Sequence, residues 1–253
     1  AGAYYVVPKV TGRALPSYEA APLGFWTLIF VGTWTGGRQL VGGPVPAWIP
    51  TLAVVGGGLL LFHFVIVAIN LQAIFGGRGT AMRFIRFGVV AYILAGLLDF
   101  LTSFRGVAAH TQFTFMATAQ ELLSLYGAIS MMFLGTIYYM VPRLTGRAWA
   151  SPALTAGHAA MVMLGVVVSV GALTVAGITQ GGLLLNAKVT FAEIFDQVRV
   201  ALLINTAAQF VLLGANLLLL VNFFRTAWVC CEKVPTTAPV LFRPSSTVEA
   251  PAS

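Results

Sequence analysis

Long apolar runs alternate with short polar ones along nearly the whole chain. Each run predicts a helix that crosses a bilayer, because about 20 apolar residues span its hydrocarbon core. The runs place six complete spans at about 23–40, 50–74, 87–104, 113–141, 154–179 and 202–224. An N-terminal helix stub over 1–8 precedes them. The span 113–141 organises the rest. It carries Gln120 and Glu121 in its first third and closes in Tyr138, Tyr139, Met140, Val141, Pro142 and Arg143. An aromatic belt, a proline and a cation mark a membrane helix reaching the interface.

The same ending opens the chain. YYVVPKVTGRA from Tyr4 matches YYMVPRLTGRA from Tyr138, so residues 3–14 repeat in 137–148. Four spans separate the copies, which returns both to one face of the membrane. The repeat is therefore parallel, related by an axis along the membrane normal. The Gly-Arg that follows each proline reads as loop. The segment Asn186 to Arg199, with Lys188, Glu193 and Asp196, reads as a short amphipathic or irregular piece outside the membrane. A transmembrane domain over 1–228 is followed by a Pro/Thr/Ser-rich, flexible tail over 229–253. Cys230 and Cys231 are adjacent just past the last span, a spacing unsuited to a mutual disulfide. The opening AGAYYVVPK has no Met and reads as the last turns of a helix whose beginning is cleaved, split off or absent.

Composition removes the soluble alternative. The chain has 253 residues, 58% hydrophobic and 8% charged, where a soluble domain carries roughly a quarter charged residues. The net charge of +7 suits loops beside anionic lipid rather than nucleic acid. Lys9, Arg13, Arg78, Arg83, Arg86, Arg143, Arg147, Arg225, Lys233 and Arg243 fall on one side of the predicted spans, and Arg38, Arg105, Lys188 and Arg199 on the other. The cation-rich side is cytoplasmic by the positive-inside rule, and so is the C-terminus.

Ionisable groups inside a membrane are costly and mark function by default. His63 lies in LLLFHFVIV; it is either a haem ligand or a neutral imidazole bonded to a facing helix. No second in-membrane histidine offers a bis-imidazole pair, since His110 and His158 read as interfacial. Glu121 and Asp99 are the buried polar or proton-path candidates, Asp99 alternatively pairing with Arg105. No Cys-x-x-Cys-His, His-x-His, phosphate-binding loop or dinucleotide fingerprint is present.

Several marks then occur in a telling order. They are YYVVPK, the span closing in Trp34-Thr35-Gly36-Gly37, the restart Pro46-Ala47-Trp48, and the run from Phe113-Thr114 through Leu125-Tyr126-Gly127 to YYMVPRLTG. With these the chain resembles the second half of haem–copper oxidase subunit I, and is most similar to cbb3-type oxidases and nitric oxide reductases. The resemblance implies an all-α polytopic membrane bundle covering the last six of twelve spans. It also implies metal ligands, and these are missing. The copper-binding His-His pair would fall on Arg38 and Gln39, and the tyrosine tied to the copper site on Gly32. The His-x-His of the fourth span would fall on Gln120 and Leu122, with Glu121 between. Amide and guanidinium are poor substitutes for imidazole at a copper site, and an aliphatic chain ligates nothing.

The resemblance therefore implies a non-catalytic pseudo-subunit I in the cytoplasmic membrane of a bacterium or archaeon. No catalytic residue and no bound cofactor are expected of this chain. Haem, with copper or non-haem iron, would sit in a partner subunit, and lipid or quinone could fill the vacated space. Two alternatives stay open: part of an active oxidase or nitric oxide reductase with ligands from another chain, and a transporter or sensor on the same scaffold.

Overall fold

A computed structural model describes residues 2–41 and 43–232, apart from the side chains of 38, 39 and 229–232. The described residues contain helices and turns and no strand. In chain order the helices are α1 (Gly2–Thr11), α2 (Ala20–Gly32), α3 (Trp48–Asn70), α4 (Thr80–Ser103), α5 (Arg105–Thr111), α6 (Phe115–Leu122), α7 (Met131–Thr145), α8 (Pro152–Leu184) and α9 (Phe191–Glu232). A π-helical stretch, Leu123–Ser130, joins α6 to α7 without a break. Five segments are long and apolar enough to cross a membrane: Trp48–Gly76, Thr80–Ser103, Phe115–Thr145, Pro152–Leu184 and Phe191–Trp228. The protein is a multi-pass helical membrane bundle.

The first expected span differs. Residues 23–40 do not form one helix; α2 stops at Gly32 and a 3-10 turn, Thr35–Leu40, follows. Gly32, Gly36 and Gly37 weaken the helix here. Thr33 bonds back to the Ile29 and Phe30 carbonyls, both at 3.0 Å, and Thr35 to the Gly32 carbonyl at 2.8 Å. Such back-bonds compete with the helical ladder.

The segment Asn186 to Arg199 also differs. Its polar residues from Phe191 onward are the first turns of α9, not an irregular piece. A capping box sets the start. The Thr190 amide donates to Glu193 Oε2 at 2.9 Å, and the Glu193 amide to Thr190 Oγ1 at 3.4 Å. Two otherwise orphaned donors are thereby satisfied. The helix runs on to Glu232, and residues 233–253 of the expected tail lie outside the described residues, as do the side chains of Cys230 and Cys231.

Both repeat copies end alike. Each helix continues past its proline, to Thr11 and Thr145, before a left-handed glycine ends it: Gly12 at φ +68° and Gly146 at φ +66°. Gly-Arg is thus helix cap rather than plain loop, because glycine takes that φ without steric cost. A proline inside a helix frees the carbonyl four residues back. In α7 that is the Tyr138 carbonyl, which accepts the Trp149 indole N–H at 3.3 Å. The copies are also neighbours, with the Tyr5 and Tyr139 rings edge to face at 6.3 Å.

The core lies around α4. Val6, Val7, Val67, Met82, Ile85 and Tyr139 join α1, α3 and α7 to one side of it. Phe84, Met131, Val162, Val166 and Leu212 join α7, α8 and α9 to the other. Lipid is as apolar as these side chains, so close packing rather than water exclusion holds the helices together. Small residues permit it. Gly177 and Gly181 of α8 lie directly against the backbones of Met116 and His110, where a Cβ would collide.

Candidate functional site

The expected ligand positions are carried by α6, which starts where the Thr114 hydroxyl accepts the Met116 amide at 3.2 Å. About two turns in, Gln120 turns towards α4. Its Nε2 donates to Thr102 Oγ1 at 2.8 Å and to the Leu98 carbonyl at 3.3 Å. Leu122 is half-buried and aliphatic. Glu121, expected as a buried polar group, is exposed on the outer face of this chain, because α6 buries Met116 and Ala119 instead. The backbone of Arg38 and Gln39 lies in the 3-10 turn after α2; their side chains are outside the described ones.

Asp99 lies on α4 in the same register as Gln120's partners. It lines a cavity of about 40 Å³ together with Thr35, Gly57, Phe64 and Ser103. That space suffices for a single water, which needs roughly 10–15 Å³ and two or more polar partners. Arg105 donates to the Ala47 carbonyl and to Thr51 Oγ1, both at 2.9 Å, and so ties the start of α5 to α3.

His63 is buried, and both ring nitrogens are engaged. Nδ1 meets the Gly24 carbonyl at 2.8 Å and Nε2 meets the Tyr92 hydroxyl at 2.8 Å. A carbonyl only accepts, so Nδ1 carries the proton and Nε2 accepts from the phenol. This one imidazole fastens α2, α3 and α4, and its lone pair is taken.

His158, expected at the membrane interface, is enclosed by protein. It is fully buried in α8 under Phe84, with Nδ1 at 2.8 Å from the Tyr138 hydroxyl. Its Nε2 has no partner among the described residues. His110 is exposed, with Nδ1 at 3.0 Å from the Gly106 carbonyl.

Sequence reasoning missed the polar contacts between α8 or π-helix and α9. Ser169, buried, bonds Asn205 and accepts Gln209 Nε2 at 2.9 Å. Asn216 Nδ2 reaches the Tyr126 hydroxyl at 2.7 Å. Asn205, Gln209 and Asn216 fall on helical spacing within one apolar span, the signal that could have found them.

Whether these residues fit haem iron or copper turns on donor chemistry. Such metals take imidazole, thiolate or thioether donors with a free lone pair. Position 122 has no donor atom, Gln120 offers only an amide oxygen in place of an imidazole nitrogen, and both ring nitrogens of His63 are hydrogen-bonded. Among the described residues no three His, Cys, Asp or Glu side chains cluster as metal ligands would. At the two expected ligand positions whose side chains are described, Gln120 and Leu122 do not fit the metal centres of subunit I.

The family model described as cytochrome c and quinol oxidase polypeptide I matches residues 1–236. A cytochrome c oxidase subunit 1 homolog of Agrobacterium tumefaciens is 30% identical over 184 residues, 70% of this chain and 34% of the relative. The cbb3-type cytochrome c oxidase subunit CcoN1 of Stutzerimonas stutzeri is 29% identical over 185 residues, 70% of this chain and 39% of the relative. A subunit 1 homolog of Azorhizobium caulinodans is 26% identical over 98% of this chain and 46% of its own length. The chain spans less than half the length of these curated relatives. Matched along nearly its whole length, the chain belongs to the cytochrome c and quinol oxidase polypeptide I family, as a partial subunit I.

Proposed function

We propose that this chain is a non-catalytic pseudo-subunit I of a membrane respiratory complex in a bacterial cytoplasmic membrane. It packs beside a haem-bearing catalytic subunit and binds no haem or copper through its own side chains. The observation that carries this reading is position 120, where the resemblance calls for an imidazole and a glutamine is bound into α4 through Thr102. Exposed Glu121 supports the partner. It has no partner among the described residues. A carboxylate on the outer face of a membrane span is costly against lipid and suits contact with another chain.

The test is to purify the chain from native membranes in mild detergent through an affinity tag and identify what accompanies it. The reading expects a stoichiometric haem-bearing membrane chain. Recovery of this chain without any haem-bearing partner contradicts it.

A further inference from the structure

We infer that the cavity between the ends of α1 and α7 and the start of α4 is a binding site for a phosphate group of net negative charge, such as the headgroup of an anionic phospholipid presents. This goes beyond the proposed role and does not depend on it. The cavity holds about 430 Å³, within the roughly 300–1,000 Å³ of small-ligand sites.

Three cations from three separate segments line it: Lys9 in the last turn of α1, Arg78 in the loop before α4, and Arg143 near the end of α7. Among the described residues no carboxylate lines it. Lys9 and Arg143 are equivalent positions of the sequence repeat, each directly after its proline, so each copy delivers one cation to the same space. Lys9 and Arg78 have no hydrogen-bond or ion-pair partner among the described residues. Arg143 is pre-positioned. Its guanidinium lies 3.5 Å over the Tyr139 ring centroid and its Nη1 donates to the Tyr139 carbonyl at 3.1 Å, which leaves further N–H donors. Like charges gathered without counter-charge focus a positive potential that draws an anion.

The start of α4 adds to it. Gly79 to Met82 line the cavity, and Gly79, at φ +104°, supplies no capping side chain. The free first amides and positive dipole end of a 24-residue helix thus face the same space. Lys9 and Arg143 would also offset the negative C-terminal ends of their helices. That account leaves out Arg78, which belongs to neither helix. It is also partly redundant, since the Gly12 amide already caps the Pro8 carbonyl at 2.9 Å. Tyr138, Tyr139 and Trp149 form part of the wall, and such aromatic residues sit at headgroup depth in a membrane.

A lipid phosphate and free inorganic phosphate share this chemistry, and the experiment separates them. The full chain in mild detergent is titrated with phosphatidylglycerol or phosphatidylcholine and read by native mass spectrometry. It is compared with the triple variant Lys9→Gln, Arg78→Gln, Arg143→Gln. A second triple variant, Arg13→Gln, Arg83→Gln, Arg147→Gln, removes equal charge from residues that do not line the cavity. The expected result is one saturable phosphatidylglycerol site, weakened at least ~tenfold by the first set and little by the second. Inorganic phosphate is then added as competitor: displacement assigns the site to free phosphate, and retention assigns it to lipid. Equal weakening by both sets, or equal binding of both lipids, overturns the inference. If the first triple variant does not fold, Arg78→Gln alone, on an exposed loop, carries the same comparison with Arg83→Gln.

Discussion

Gln120 donates its amide to the hydroxyl of Thr102 at 2.8 Å, across the interface between α6 and α4. The bond places a helix-fastening side chain where the family resemblance calls for an iron-ligating imidazole. Thr102 keeps its own bond to the Leu98 carbonyl at 2.8 Å, so the pair extends the α4 ladder sideways. Replacing Gln120 by Ala should lower stability by about 0.6 kcal/mol, the average for a hydrogen bond between membrane helices. It should leave the haem content of the purified complex unchanged. Thermal unfolding in mild detergent, with haem quantified on the same sample, checks both.

The His63–Tyr92 contact should behave as a structural pair. His63→Leu and Tyr92→Phe should each destabilise, and a double-mutant cycle should give a coupling of roughly 0.6–1.7 kcal/mol. An additive cycle would mean that the 2.8 Å contact contributes nothing.

Glycines of α8 should respond in opposite directions according to what faces them. Gly181 lies against the His110 carbonyl, and Gly171 has nothing within 4 Å. Gly181→Ala should destabilise by about 1–3 kcal/mol through overpacking. Gly171→Ala should be neutral or stabilise by up to ~1 kcal/mol through helix propensity. Melting temperatures of the two variants, measured side by side, decide it.

The start of α9 carries a prediction about its own first turn. Thr190→Ala removes the side chain that accepts the Glu193 amide and should cost about 1 kcal/mol. Hydrogen exchange should quicken over residues 191–195 and stay unchanged near 212.

These elements show what a sequence reader could and could not see. The long apolar runs located α3, α4, α8 and the span from α6 to α7, because hydropathy over about 20 residues suffices for that. The first turns of α9 are hard to read because Glu193, Asp196 and Arg199 interrupt the apolar pattern, although Thr190-Phe191-Ala192-Glu193 spells a capping box. Gly32, Gly36 and Gly37 signal the break after α2, but the apolar residues on either side of them carry the hydropathy of a continuous span. The burial of His158 was not legible. It depends on Tyr138 and Phe84 arriving from two other helices, which is a property of packing and not of the surrounding sequence. The π-helical stretch was equally hidden, since nothing in Leu123–Ser130 departs from an ordinary apolar helix. The altered ligand positions Gln120 and Leu122 were readable, but only against the family resemblance.

Glu121 should matter to assembly rather than to the fold of this chain. Glu121→Leu should leave the unfolding temperature of the separated chain unchanged, because the side chain is exposed and has no partner among the described residues. It should reduce co-purification with the proposed haem-bearing partner, read as the ratio of the two chains on a stained gel.

The central claim is that this chain holds no haem or copper with its own side chains. The direct measurement is to isolate the complex in mild detergent, separate this chain with its cofactors retained, and record its haem spectrum and its iron and copper content per chain. The account predicts no haem band and no stoichiometric metal on this chain, with both in its partner. One haem per chain, lost on His63→Ala, would contradict it and make this a redox subunit with relocated ligands.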